Sequence, residues 1–192
     1  MQRLPIAGEA LRSALAGVEH LVILGPMGVG KTTLGRLLAG RLELPFTDSD
    51  QALSRNEHAT ARELQKRRGQ AALHSLESAL LLEALAKPQR QVISAAASTI
   101  DDDRCLAALA RPPVLAIWLH ADPATIASRY RSATHRPPPV TDAVTRRREA
   151  RWASLDPIRL DTTGASPAEL LEVALAAIAA RHEGPERSEP RG

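Results

Sequence analysis

The sequence feature that most constrains this chain is a glycine-rich loop between an apolar strand and a helix. Residues 25–33 read Gly-Pro-Met-Gly-Val-Gly-Lys-Thr-Thr, the phosphate-loop pattern of Gly, four residues, Gly, Lys and then Ser or Thr. The apolar run at residues 21–24 is typical of a buried parallel strand, and residues 32–42 are predicted to form a helix. The complete pattern in this setting predicts a nucleoside triphosphate site rather than a chance glycine-rich turn.

The residues of this loop have separate expected tasks. Glycines allow successive backbone N–H groups to point at one anion, and the following helix adds partial positive charge at its N-terminus. Lys31 is expected to reach the β- and γ-phosphates, and the Thr32 hydroxyl to take a place on Mg²⁺. The predicted nucleotide-binding residues of the loop are Gly28, Val29, Gly30, Lys31, Thr32 and Thr33.

Composition limits the classes of function open to the chain. Its 192 residues fit one domain, and a hydrophobic content of 44% can bury a sizeable core. The net charge of +3 permits nucleic-acid binding, but the arginines are dispersed and aromatic residues make up only 2%. Cys105 is the single cysteine, which fits a reducing cytosol, and no apolar stretch reaches the roughly 18 residues of a membrane span. We expect a cytoplasmic monomer that binds neither nucleic acid nor a membrane.

Two aspartates follow the second predicted strand, residues 44–47. Asp48 and Asp50 lie at the strand end, where ligands bind in an open parallel sheet, and side chains two apart can project into one cleft. Asp48 could hold magnesium through water, and Asp50 could accept a proton from a substrate hydroxyl. The alternative is a pair of helix caps. We favour the functional interpretation because a metal–nucleotide site needs an acidic partner nearby.

Residues 51–87 are predicted to be helical, with a break at Gly69. The second half of this segment repeats leucines at helical spacing. His74 and Glu77 are three residues apart there and can face the same cleft. A single histidine on a helix is more often structural or solvated than functional, but both interpretations of His74 stay open here.

Small residues end the third predicted strand, residues 92–97. The sequence Ser-Ala-Ala-Ala-Ser at residues 94–98 would let another backbone or a ligand approach closely. The three aspartates at 101–103 are expected to form a helix N-terminus, where acidic side chains offset the helix dipole. Metal binding by these aspartates is the alternative.

A basic, proline-rich segment precedes the last predicted strand. It carries Arg129 and Arg136 ahead of a run of three prolines, and a second arginine cluster lies at residues 146–151. Residues 132–140 lack apolar periodicity, which predicts a mobile lid over about residues 130–150 rather than a core element. Arginines on a lid above a triphosphate would stabilise charge on the transferred phosphoryl group.

The order of the predicted elements specifies an α/β fold, with one five-stranded parallel sheet and helices on both faces. The predicted strands are residues 20–24, 44–47, 92–97, 114–119 and 158–161. Residues 1–19 are a predicted lead-in segment with a short helix at 7–18. Residues 20–182 are expected to form a single domain, and residues 183–192 a disordered tail.

Taken together, these motifs resemble those of the shikimate kinases, phosphate-loop enzymes that phosphorylate one hydroxyl of shikimate with MgATP. The resemblance covers about residues 20–180. It is strongest at residues 25–33, 45–50, 136–137 and 161–164. It implies a phosphate-loop NTPase fold with a sheet like that of nucleoside monophosphate kinases. It also implies ATP and Mg²⁺ as cofactors, and a small hydroxylated acid as the phosphoryl acceptor.

The resemblance implies roles for the residues around the reacting phosphate. Lys31 would contact phosphate, and Thr32 and Asp48 would serve Mg²⁺. Asp50 would meet the acceptor hydroxyl and orient or deprotonate it. Arg136 would be the lid arginine that reaches the phosphates.

Two further arginines fall at positions where the family places functional ones. Arg129 lies seven residues before Arg136, the spacing at which the family sets an arginine against the adenine. Arg148 falls where an arginine that binds the acceptor carboxylate is expected, with Trp152 in place of the usual tyrosine.

The acceptor side departs from the family pattern at two places. The family has Phe-Arg on its third helix, where the arginine binds the shikimate carboxylate, and this chain has Leu73-His74. The family has three glycines after the third strand, and this chain has Ala96, Ala97 and Ser98. Histidine cannot reproduce a bidentate guanidinium contact. The loss of that contact should cost on the order of 2–4 kcal/mol in acceptor binding.

These departures leave several acceptors open. Shikimate could be bound weakly, or it could be bound with other arginines, of which Arg67 and Arg68 are near in sequence. Alternatively the acceptor is a sugar acid such as gluconate, or another polyol. A third possibility is a nucleotide-binding regulatory relative without efficient transfer, and nucleoside monophosphate kinase activity is a weaker fourth.

Overall fold

The structure is a computed structural model that describes residues 6–131 and 141–181. Residues 132–140 and 182–192 lie outside the described residues, so the predicted lid arginine Arg136 and the predicted tail at 183–192 are not placed.

Five parallel strands form one sheet in the order β2-β3-β1-β4-β5. The central strand β1 is buried along its whole length, as its continuous apolar run predicts. The strands are β1 His20–Leu24, β2 Phe46–Asp48, β3 Gln91–Ser94, β4 Val114–His120 and β5 Ile158–Asp161. The predicted fold class is confirmed.

Eight α-helices and one 3₁₀ helix surround the sheet in the described part of the chain. Among them, no helix is both long enough and apolar enough to cross a bilayer. The α-helices are α1 Ile6–Ala14, α2 Lys31–Leu42, α3 Ser49–Glu57, α4 Ala61–Leu85, α5 Asp103–Leu109, α6 Pro123–Arg131, α7 Asp142–Ala153 and α8 Pro167–Ala180, and the 3₁₀ helix is Ala97–Asp101.

The core lies on both faces of the sheet, because successive side chains of a strand point to opposite sides. Leu21 and Ile23 of β1 join a cluster with buried residues of α2 and α8. Val22 and Leu24 join a second cluster that includes Trp152 of α7 and buried residues of α4 and α5. Helices therefore cover both faces, as the sequence predicts.

The ends of several elements differ from the predicted ones. β2 includes Asp48, so the first aspartate of the pair is the last residue of a strand. β3 stops at Ser94, because the chain turns into the 3₁₀ helix, where the Thr99 N–H bonds the Ala96 carbonyl. α1 ends at Ala14, and Gly17 beyond it has a φ of 76°.

The segment before β1 is part of the core. Leu15 and Val18 are buried in the cluster beneath α8, and Leu11 of α1 packs against that cluster. The described part of the predicted lead-in segment therefore helps to cover one face of the sheet.

Candidate active site

The phosphate loop joins the carboxyl end of the central strand β1 to α2. Gly25 has a φ of 133°, and a Cβ there would lie 2.4 Å from the Leu119 carbonyl oxygen. Gly30 precedes α2 in the left-handed region, with a φ of 104°. The Lys31 ammonium donates to the carbonyls of Gly25 and Pro26 at 2.9 and 3.0 Å. The lysine therefore lies over its own loop, where a polyphosphate is expected.

Asp48 reaches the phosphate loop across one intervening strand. In the register of the sheet, Ser94 of β3 is aligned with both Ile23 of β1 and Asp48 of β2. The Thr32 hydroxyl donates to Asp48 Oδ2 at 2.6 Å. The Gln51 backbone N–H donates to Asp48 Oδ1 at 3.1 Å, so the same carboxylate also caps α3. The structure therefore shows Asp48 as a helix cap that also contacts the phosphate loop, and its role in holding magnesium stays a prediction.

The oxygen atoms of Thr32 and Asp48 fit a magnesium ion that arrives with a nucleotide. Mg²⁺ prefers oxygen ligands and is commonly held by one or two carboxylates together with substrate phosphates. In the ranges 6–131 and 141–181, no group of three or more His, Cys, Asp or Glu residues could hold a metal by itself. The alternative metal site at residues 101–103 is therefore not supported by the described residues.

A cleft of ≈ 340 Å³ runs from the phosphate loop to the ends of β2 and β3. Asp50, in the first turn of α3, lines the same cleft as Lys31, on the same side of the sheet. The cleft brings together most of the predicted site residues, namely Gly28, Val29, Gly30, Lys31, Thr32, Thr33, Asp50, His74, Ala96, Ala97, Ser98, Arg129 and Arg148.

Arg129 on α6 connects the phosphate loop to the segment after β5. Its guanidinium donates to the hydroxyl and the carbonyl of Thr162, each at 2.9 Å, and approaches the Val29 carbonyl at 3.5 Å. The Thr162 hydroxyl donates to Val29 as well, at 3.1 Å. Sequence reasoning did not select Thr162, although its place directly after the last strand puts it at the ligand-binding edge of the sheet.

Arg148 on α7 is buried and ion-paired. Its Nε and Nη2 donate to Oδ2 of Asp101 at 2.9 and 2.7 Å, and Arg147 Nη2 lies 3.2 Å from Oδ1. Burial alone would raise the pKa of Asp101, but the hydrogen bonds and charges of the two arginines lower it below its usual range. Asp101 is therefore ionised at neutral pH and forms an ion pair with Arg148 at the wall of the cleft.

The aspartates at 101–103 do not act as one group. Asp102 caps α5 by accepting from the Arg104 N–H, and Asp103 is the first residue of that helix. These two positions agree with the predicted helix N-terminus. Asp101 departs from that prediction, because it ends the 3₁₀ helix and holds Arg148.

The predicted lid needs a correction at its carboxyl end. Residues 142–150 belong to α7, which begins at the Thr141 cap and packs against the 3₁₀ helix. Arg151 donates to the Ile100 carbonyl, and Trp152 is buried with its ring centre 5.9 Å from that of Trp118. These contacts anchor the arginine cluster, and residues 130–131 belong to α6. The lid prediction is therefore kept only for residues 132–140, which lie outside the described residues.

His74 lines the cleft, half-buried, on α4. Burial lowers its pKa, the charge of Arg148 lowers it further, and Asp101 offsets part of this. The imidazole is therefore neutral near pH 7 and does not replace a guanidinium as a cation. Unlike His74, Arg67 and Arg68 do not line the cleft, and Arg68 pairs with Glu57 on the surface. The suggestion that these two arginines bind an acceptor is not supported.

Glu77 is the main addition that the structure makes to the site. It is 6% exposed, one turn after His74, and it accepts a hydrogen bond from the Ser98 hydroxyl. Burial raises the pKa of Glu77 to about 7. The hydrogen bond from Ser98 opposes this rise, and the negative charge of Asp50 adds to it. The spacing from His74 indicated the face of Glu77, but nothing in the sequence indicated its burial.

A protein-family comparison decides between the classes of kinase that such a cleft could serve. The family model described as shikimate kinase matches residues 27–179. This chain belongs to the shikimate kinase family. The resemblance proposed from the motifs is thereby confirmed, and the family consists of ATP-dependent kinases of a small molecule.

Individual relatives of the shikimate kinase family agree with this assignment. The shikimate kinase of Mesorhizobium japonicum is 34% identical over 132 residues, 68% of this chain and 64% of that protein. The shikimate kinase of Pelotomaculum thermopropionicum is 36% identical over 120 residues, 62% of this chain and 69% of that protein. The match to the first relative thus spans slightly less than two thirds of its length.

The fold of this family member also matches that of a solved relative. The structure of shikimate kinase from Acinetobacter baumannii in complex with shikimate superposes with a TM-score of 0.76. The match covers 85% of this chain and 94% of that chain at 21% sequence identity. At 21% identity this likeness shows the fold alone. The substrate is therefore inferred from the family and from the residues of the site.

Proposed function

We propose that this protein transfers the γ-phosphoryl group of ATP to a hydroxyl of shikimate. The observation that carries the proposal is the shared cleft, which is lined by the phosphate loop, Lys31 and Asp50 together. Phosphoryl transfer asks for little covalent chemistry from the protein and depends on positioning and electrostatic stabilisation. A single cleft that binds both the nucleotide phosphates and the acceptor hydroxyl would supply that positioning.

On the nucleotide side, the backbone of Gly28, Val29 and Gly30 and the Lys31 ammonium would bind the phosphates. Thr32 and Asp48 would hold Mg²⁺, which neutralises phosphate charge when it is bound. Arg129 is held at the wall of the cleft by Thr162 and the loop, which supports the expected contact with the base.

On the acceptor side, Asp50 would orient the attacking hydroxyl and accept its proton. Arg148 lines the cleft and is fixed there by Asp101, which supports a role in binding the acceptor carboxylate. Ala96 and Ala97 line the same wall beside Ser98. The predicted contribution of Arg136 concerns a residue outside the described ranges.

The proposal is tested by product formation over a panel of acceptors. Purified protein with Mg²⁺ and ATP should release ADP and form a phosphorylated product with shikimate in preference to gluconate and other polyols. Preferential phosphorylation of gluconate would instead establish the sugar-acid alternative. ATP binding without transfer to any acceptor would favour the regulatory alternative.

Asp50→Asn tests the acceptor half of the site separately. We expect turnover to fall at least about 100-fold, because a neutral amide cannot take the proton, with ATP affinity nearly unchanged. Asp103→Asn is the matched control, since its side chain is 90% exposed on the surface. Unchanged turnover in Asp50→Asn would remove the hydroxyl-orienting role. The expected monomeric state, cytoplasmic location and lack of nucleic-acid binding stay predictions.

A further inference from the structure

The part of the cleft that Asp50 and Arg148 line, here called the acceptor end, contains a buried carboxyl that the proposed transfer does not use. Glu77 of α4 and Ser98 of the 3₁₀ helix are each 6% exposed, and both line the cleft. The Ser98 hydroxyl donates to Oε2 of Glu77. Among the described residues Oε1 makes no hydrogen bond, so this second oxygen is available to a molecule in the cleft.

The groups that face Glu77 come from every element around it. Asp50 of α3 is a like charge, whereas Lys31 of α2 and Arg148 of α7 are opposite charges at a distance. The two cations are already engaged, Lys31 by loop carbonyls and Arg148 by Asp101. Burial and Asp50 therefore prevail, and the pKa of Glu77 rises to about 7 despite the hydrogen bond from Ser98.

We propose that Glu77 binds the phosphoryl acceptor as a neutral carboxylic acid, which accepts from Ser98 at Oε2 and donates from Oε1 to an acceptor oxygen. A neutral carboxyl supplies a hydrogen-bond donor beside Asp50 without adding charge. When Glu77 ionises, that donor is lost and a second carboxylate faces Asp50 and any carboxylate on the acceptor. The inference rests on the proposed function, because it concerns the acceptor half of that site.

The proposal makes acceptor binding dependent on pH in a particular direction. If only neutral Glu77 binds the acceptor, the KM for shikimate rises above about pH 7, approaching roughly tenfold per pH unit. The KM for ATP does not follow this rise, because the loop binds the nucleotide. His74 does not produce the effect, since its lowered pKa makes the imidazole neutral above about pH 7, where the rise in KM occurs.

The experiment measures KM for shikimate and for ATP from about pH 5.5 to about pH 9 in the full chain. Glu77→Gln keeps the shape and a donor but cannot ionise, so its KM for shikimate should be flat across this range. Ser98→Ala removes a hydrogen bond that favours the ionised form, so the rise should move to higher pH. Glu83→Gln, on the exposed face of the same helix, is the matched control and should keep the wild-type profile.

Several outcomes decide the matter. The inference is overturned if Glu77→Gln keeps the wild-type rise in the KM for shikimate. It is also overturned if carbon NMR of labelled glutamate shows the Glu77 carboxyl ionised at pH 6, a measurement that needs no turnover. A merely structural role would weaken shikimate and ATP kinetics together and lower thermal stability at every pH. Failure of the proposed function looks different, because wild-type protein would then phosphorylate no shikimate at any pH.

Discussion

The Thr32 hydroxyl donates to Oδ2 of Asp48 at 2.6 Å, although β3 lies between the strands that lead to these two residues. The contact fixes the distance between the phosphate loop and the turn that carries Asp50. In the proposed function, this contact would link the position of the nucleotide phosphates to the position of the acceptor hydroxyl. The Asp48 carboxylate is held through one oxygen by the Thr32 hydroxyl and through the other by the Gln51 N–H of α3.

Asp48→Asn should raise the concentration of Mg²⁺ needed for half-maximal turnover by at least about tenfold, because one anionic oxygen is lost beside Thr32. Asparagine also caps helices well, so the free energy of unfolding should change by less than about 1 kcal/mol. Magnesium titration of initial rates at saturating ATP measures the first effect, and urea denaturation measures the second. Asp156→Asn, at an exposed pair with Arg181, is the control. An unchanged magnesium requirement would contradict the proposed role of Asp48.

Lys31→Met should lower turnover by about 100-fold to 1,000-fold, because the ammonium that stabilises charge on the transferring phosphoryl group is removed. The fold should survive, since the bonds of Lys31 to the Gly25 and Pro26 carbonyls contribute only about 1 kcal/mol each. Single-turnover kinetics and thermal denaturation separate the two effects. Lys66→Met, at an exposed position of α4, should leave both unchanged. A loss of less than about tenfold would argue against phosphate contact by Lys31.

The sequence predicted the parts of the site that depend on local pattern. The phosphate loop, the Asp48–Asp50 pair and the single parallel sheet follow from residue spacing, from the apolar run of β1 and from the alternation of strands and helices along the chain. The order of the strands within the sheet was not predicted. The two polar pairs at the acceptor end were not predicted. Asp101 and Arg148 are 47 residues apart, and Glu77 and Ser98 are 21 apart. Their pairing depends on how α4, α7 and the 3₁₀ helix pack together, which no local pattern encodes.

Asp101→Asn should destabilise the fold at neutral pH, on the order of 3 kcal/mol, because it leaves the Arg148 guanidinium buried without its carboxylate. The pKa of Asp101 is lowered in the folded state. Its stabilising contribution is therefore fully present above the pKa of the unfolded chain and is lost as pH falls through the lower folded value. The difference between wild type and variant should shrink between about pH 5 and about pH 2.

Denaturation free energies at several pH values measure this contribution of Asp101. Asp156→Asn serves again as the control, since an exposed ion pair contributes about 0–1 kcal/mol. A difference between wild type and Asp101→Asn that stays constant with pH would show that the pair with Arg148 does not titrate as described.

Two glycines of the same helix should respond in opposite ways to alanine. A Cβ at Gly35 would lie 2.4 Å from Cε2 of Phe46, the first residue of β2, whereas a Cβ at Gly40 meets nothing within 4 Å. Gly35→Ala should cost about 1–3 kcal/mol, because the Phe46 ring must move. Gly40→Ala should stabilise by roughly 0.4–1 kcal/mol, since alanine restricts the unfolded chain and suits a helix. Urea denaturation measures both. Phe46→Leu in the Gly35→Ala background should recover part of the loss, and equal stabilisation by the two alanines would contradict close packing of α2 on β2.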